Sequence, residues 1–109
     1  MIRENIFLIE KIDDIVFLGH SEILDKFIET NKKLKINSHI VTSPDQKKKF
    51  KNVKFKNDIR VFKKLDSEFK NFVKKNFDIK KTLFISLSSR WIFKKDTINF
   101  LKNNLINMH

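Results

Sequence analysis

Asn107 and His109 lie two residues apart in the run Leu105-Ile106-Asn107-Met108-His109. In an extended strand alternate side chains share a face, so the carboxamide and the imidazole project to one side. Two such groups converging at a strand's end can donate hydrogen bonds to one developing oxyanion, which is the chemistry of acyl transfer. Periodicity alone leaves a second reading open, in which the pairing is chance.

The other histidines are weighed the same way. His20 follows the only glycine and stands where a helix should open, so it reads first as a structural residue of that turn and second as a ligand contact. A lone glycine is not the G-x-G-x-x-G phosphate-binding fingerprint. His39 falls inside a β-branched stretch and reads as structural. No His and carboxylate have the spacing of metal ligands, so no metal site is expected. No Ser-His-Asp arrangement can be argued from spacing.

The elements that must position these residues follow from pattern and punctuation. Ile15 to Leu18 are four consecutive apolar residues bounded by acids and Gly19, as in a strand buried on both faces of a parallel sheet. A helix is predicted next, with Ser21 as N-cap and Ile23, Leu24, Phe27, Ile28 and Leu34 along one face. Ile36 to Ser43 is short and β-branched and stops at the turn signal Pro44-Asp45. That β-α-β unit implies a right-handed parallel pair.

Further on, Lys51 to Phe62 reads as a short strand or a surface loop. Leu65 to Phe77 is a helix capped by Asp66 or Ser67, with Phe69, Phe72, Val73 and Phe77 recurring at three and four. Thr82 to Ser89 is another apolar strand, Lys94 to Asn104 a short helix capped near Asp96, and the Asn107 segment a last strand. Alternating strands and helices place the chain in the α/β class: a Rossmann-like, mostly parallel sheet with helices on both faces. In such sheets ligands bind beyond the carboxyl ends of the strands. Those ends are Gly19-His20-Ser21, Thr42 to Asp45, Ser86 to Arg90 and Asn107 to His109. Residues 1–13 precede the first clear strand as an N-terminal extension, either an edge strand or a helical turn.

The composition bounds the remaining classes. At 109 residues the chain holds one domain at most, and no run of about 18 apolar residues would span a membrane. The first residues lack the pattern of a signal peptide, and the absence of cysteine fits a cytoplasmic protein. The net charge is +11, yet lysine outnumbers arginine 21 to 3. Arginine is the preferred residue for bidentate phosphate and base contacts. Ile, Lys, Asn and Phe fill 59 positions, a bias matching A/T-rich codons, so the charge reads first as a solvated surface. The one dense run, Lys47 to Lys56, is the alternative: a small basic module binding RNA or an acidic partner.

Taken in order, these stretches resemble the N-terminal catalytic domain of the folate-dependent formyltransferases, a group including the methionyl-tRNA and sugar N-formyltransferases. "IVFLGHSEILDKFI" is similar to that domain's first strand, turn and helix, and "HIVTSPDQKKK" to its second strand and V-T-x-P-D turn. "LFISLSSRWIFKKDTINFL" is similar to the strand, folate-side loop and helix ahead of the catalytic strand, and "LINMH" to the N-x-H strand itself. The resemblance covers residues 14–109, a partial domain incomplete on its C-terminal side.

That resemblance implies a transferase of one-carbon metabolism, with 10-formyltetrahydrofolate as co-substrate and an amine of a sugar nucleotide or methionyl-tRNA as acceptor. It makes Asn107 a donor to the oxyanion and His109 the group supporting proton movement. Ser88, Ser89, Arg90, Trp91 and Ile92 would border the folate ring, although Trp91 has an equal reading as a packing residue. The family continues past its His with a Leu-Pro segment and a catalytic Asp that these 109 residues do not contain. The chain alone is therefore expected to lack turnover, and a separate C-terminal half is a partner the resemblance allows.

Overall fold

The computed structural model describes residues 12–50, 59–87, 95–101 and 104–108. Five strands form one parallel sheet: β1 (Asp14–Gly19), β2 (Asn37–Thr42), β3 (Ile59–Val61), β4 (Thr82–Leu87) and β5 (Leu105–Met108), in the order β3-β2-β1-β4-β5. Four helices are described: α1 (Leu24–Lys33), the single turn α2 (Pro44–Lys47), α3 (Ser67–Asn76) and α4 (Lys95–Leu101). Short 3-10 turns follow α2 at Lys48–Phe50 and precede β4 at Ile79–Lys81. The α/β, Rossmann-like reading holds, and every described strand pair is parallel.

β1 is central, which is why its sequence is an unbroken apolar run. Val16, Phe17, Leu18 and Gly19 have almost no exposed surface, and Ile15 little more. Both faces of the strand must be covered, so a polar residue on either would be buried without water. On one face Val16, Leu18, Val41 and Phe84 pack under α3 and α4, through Phe69, Val73 and Leu101. On the other, Ile15, Phe17, Ile40 and Ile85 pack with Leu24, Phe50 and Leu87, and Phe27 of α1 stacks on Phe17 at 5.9 Å. Fully burying a phenylalanine such as Phe17, Phe69 or Phe84 contributes about 2–3 kcal/mol each.

The helices start and stop where the sequence signals them, with local exceptions. Asp66 caps α3 by accepting the Glu68 N–H at 3.1 Å. Ser21 does not cap α1: the cap position is Ile23, and Ser21 instead closes the preceding turn, its Oγ accepting from Ile23 N at 3.4 Å. The apolar stripe of α1 is accordingly narrower than its pattern, and Ile23 and Leu34 at its two ends are exposed. Pro44-Asp45 begins a helical turn rather than a reverse turn, because Ser43 Oγ accepts the Gln46 N–H and proline suits a first helical position. Of the ambiguous Lys51 to Phe62 stretch, Ile59–Val61 is the edge strand β3, and residues 51–58 lie outside the described residues. Asp96 sits inside the first turn of α4.

Candidate functional site

The chain leaves β1 to the left through β2 and β3 and returns to the right through β4 and β5. The reversal falls between β1 and β4, where the loops after neighbouring strands diverge and open a crevice beyond their carboxyl ends. Gly19 ends β1 at that point with φ 102°, a conformation that crowds any Cβ, and it is buried. The only glycine of the chain thus serves a backbone need at the switch of strand order.

His20 follows directly. Its ring meets the Phe50 ring edge-on, with centroids 4.8 Å apart and planes at 88°. Burial holds its pKa below the ordinary 6.5, and the nearby Lys49 ammonium lowers it further, while Glu22 and Asp25 oppose both. The imidazole at the mouth of the crevice is therefore biased to the neutral form, able to donate from one nitrogen and accept at the other. Phe50 belongs to the lysine-dense run, whose pattern gave no sign that this phenylalanine would turn inward against a histidine. Lys47, Lys48 and Lys49 are exposed beside it, while Lys51, Lys54 and Lys56 lie outside the described residues.

Asn107 stands on β5 in register with Ser86 of β4, which is in turn in register with Leu18 of β1. Two strand spacings, about 10 Å in all, separate it from β1 across the sheet. Asn107 is exposed, and its carboxamide has no hydrogen-bond partner among the described residues, whereas Ser86 beside it is buried. The geometry therefore leaves the Asn107 amide available at the carboxyl edge, on the face covered by α3 and α4. His109 and the loop Ser88, Ser89, Arg90, Trp91 and Ile92 lie outside the described residues.

His39 lies apart from this edge. Its Nε2 is 2.8 Å from Asp14 Oδ1, and its ring packs edge-on against Phe77 at 4.7 Å. It ties the start of β1 to β2, the structural role its sequence context suggests. Among the described residues no three His, Cys, Asp or Glu side chains gather as a metal site, and no helix is long and apolar enough to cross a membrane. Compared with family models, curated proteins and solved structures, the chain matches none.

Proposed function

We propose that the chain is the N-terminal part of a formyltransferase site, in which an amine attacks the formyl carbon of 10-formyltetrahydrofolate. The observation that carries this reading is the exposed Asn107 amide, without a hydrogen-bond partner among the described residues, on a parallel strand beside the switch-point strands. 10-Formyltetrahydrofolate supplies the formyl carbon. Asn107 donates to the carbonyl oxygen as negative charge develops there, and His109, two positions on, carries the proton from the attacking amine to N10 as the N10–formyl bond breaks and tetrahydrofolate leaves. The loop Ser88 to Ile92 follows β4 and borders the folate ring. The acceptor is a sugar nucleotide or methionyl-tRNA, and without the catalytic Asp of the resembled family these 109 residues by themselves are expected to bind the co-substrate without turnover.

The test uses Trp91, the only tryptophan, as the reporter. Titration with the stable analogue 5-formyltetrahydrofolate is expected to change its fluorescence saturably, with weaker binding in Asn107→Ala. Absence of saturable binding overturns the reading. Formyl transfer by the chain alone that disappears in His109→Ala would overturn the assignment of binding without turnover. A second reading is favoured by the exposed Lys47, Lys48 and Lys49: RNA binding that weakens with salt and ignores Asn107.

A further inference from the structure

Arg60 is the one arginine among the described residues of a chain that otherwise uses lysine. It lies on β3 opposite Val41 and is exposed, and no carboxylate pairs with it among the described residues. Its guanidinium sits over the Phe72 ring, 5.4 Å from the centroid, a cation–π contact that draws the fork towards the ring. Beside it opens a cavity of about 180 Å³ lined by Arg60, His39, Phe72, Asn76 and Phe77. That is smaller than the roughly 300 Å³ at which pockets begin to take drug-sized ligands, so it admits one ring or its equivalent.

The polar groups of this cavity differ in sign. The Asp14 carboxylate can only accept a hydrogen bond, so His39 Nε2, 2.8 Å away, carries the proton. In the neutral ring Nδ1 is then a fixed acceptor, with no partner among the described residues, and Phe77 packed edge-on restrains the ring's rotation. Asn76 donates its Nδ2–H to the Phe72 carbonyl at 2.8 Å, leaving Oδ1 as a second acceptor. A bidentate cation, an aromatic wall made of Phe72 and Phe77 in edge contact, and two acceptors are thus gathered in one small space.

We infer that this cavity is a binding site for a small aromatic carboxylic acid bearing a hydroxyl or amino donor. The carboxylate pairs with Arg60, the ring rests against Phe72 and Phe77, which meet edge to face with centroids 5.7 Å apart, and the donor reaches His39 Nδ1 or Asn76 Oδ1. β2 and β3 stand three and four strands from β5, about 14–19 Å across the sheet, so the site is separate from Asn107 and does not rest on the formyl-transfer reading.

The experiment titrates the 109-residue chain with 4-hydroxybenzoate, benzoate and phenol, following the His39 ring protons by NMR. Saturable shifts are expected with 4-hydroxybenzoate, weaker binding with benzoate, and weakest with phenol. Arg60→Met is expected to weaken 4-hydroxybenzoate binding at least tenfold, as loss of a charge-assisted pair does, while the remote Lys33→Met leaves it unchanged. Circular dichroism checks that each variant is folded. Shifts that do not saturate, or equal affinity in Arg60→Met and the unaltered chain, overturn the inference.

Discussion

Asp14 Oδ1 and His39 Nε2 are 2.8 Å apart, joining two neighbouring parallel strands from positions two residues out of register. The side chains are about one-fifth and one-third exposed, so solvent screens the pair in part. Partial exposure places its contribution near that of an ordinary hydrogen bond rather than a buried ion pair. A double-mutant cycle of Asp14→Ala and His39→Ala in urea unfolding is expected to give a coupling of about 0.5–1 kcal/mol. A coupling indistinguishable from zero would show that Phe77 packing, not the carboxylate, holds the ring.

Lys35 occupies a left-handed conformation, φ 60°, just past α1. Ile36 N–H bonds Asn31 O at 2.8 Å and Lys35 N–H bonds Lys32 O at 3.2 Å, the paired bonds of a Schellman motif. Glycine is the usual residue at this position, and the chain has none to spare there. Lys35→Gly removes the Cβ strain and is expected to stabilise the fold by about 1 kcal/mol, while Lys35→Val destabilises it. Thermal melts of the two variants check the opposite signs.

The same position shows why some of the fold was legible in the sequence and some was not. β1 announces itself because a central parallel strand buried on both faces must be continuously apolar, as Ile15 to Leu18 are, and β4 nearly so, while β2 shows through its β-branched Ile40-Val41-Thr42. α3 announces itself through Asp66 and the spacing of Phe69, Phe72 and Val73. The end of α1 does not, because the backbone bonds that close the helix put Lys35, where glycine is usual, into a conformation that its side chain disfavours. Ile59–Val61 is three residues long on an exposed edge, too short for alternation to declare itself. At the candidate site, Asn107 could be placed on its strand from pattern, while the face it takes follows from its register with Ser86 and Leu18. The contact between His20 and Phe50 spans 30 residues of sequence and leaves no local pattern.

Thr42 and Thr97 are both buried, and their hydroxyls have opposite circumstances. Thr97 Oγ1 donates to the Leu65 carbonyl, linking α4 to the start of α3, whereas Thr42 Oγ1 has no partner among the described residues. Replacing each with valine keeps the shape and removes only the hydroxyl. Thr42→Val is expected to be neutral or to stabilise by up to about 1 kcal/mol, and Thr97→Val to cost about 1–2 kcal/mol by orphaning a buried carbonyl. Urea unfolding midpoints separate the two. Equal losses in both would mean that Thr42 also has a hydrogen bond in solution.

His20 makes the site sensitive to pH in a defined direction. Its pKa in the fold is depressed below 6.5 by burial and by Lys49, so above about pH 6.5 it is neutral in both folded and unfolded chains and costs nothing. As pH falls below 6.5 the unfolded chain takes up the proton first, and the fold loses stability until pH passes below the folded pKa, where the loss levels off. NMR titration of the His20 ring is expected to give a midpoint under 6.5. Lys49→Glu reverses the neighbouring charge and should raise that midpoint, and Phe50→Ala should raise it by readmitting water to the ring. Glu22→Gln should lower it, since Glu22 favours the charged form. A midpoint at or above 6.5 in the unaltered chain, or one indifferent to Lys49, would mean that the ring does not stay packed against Phe50 in solution.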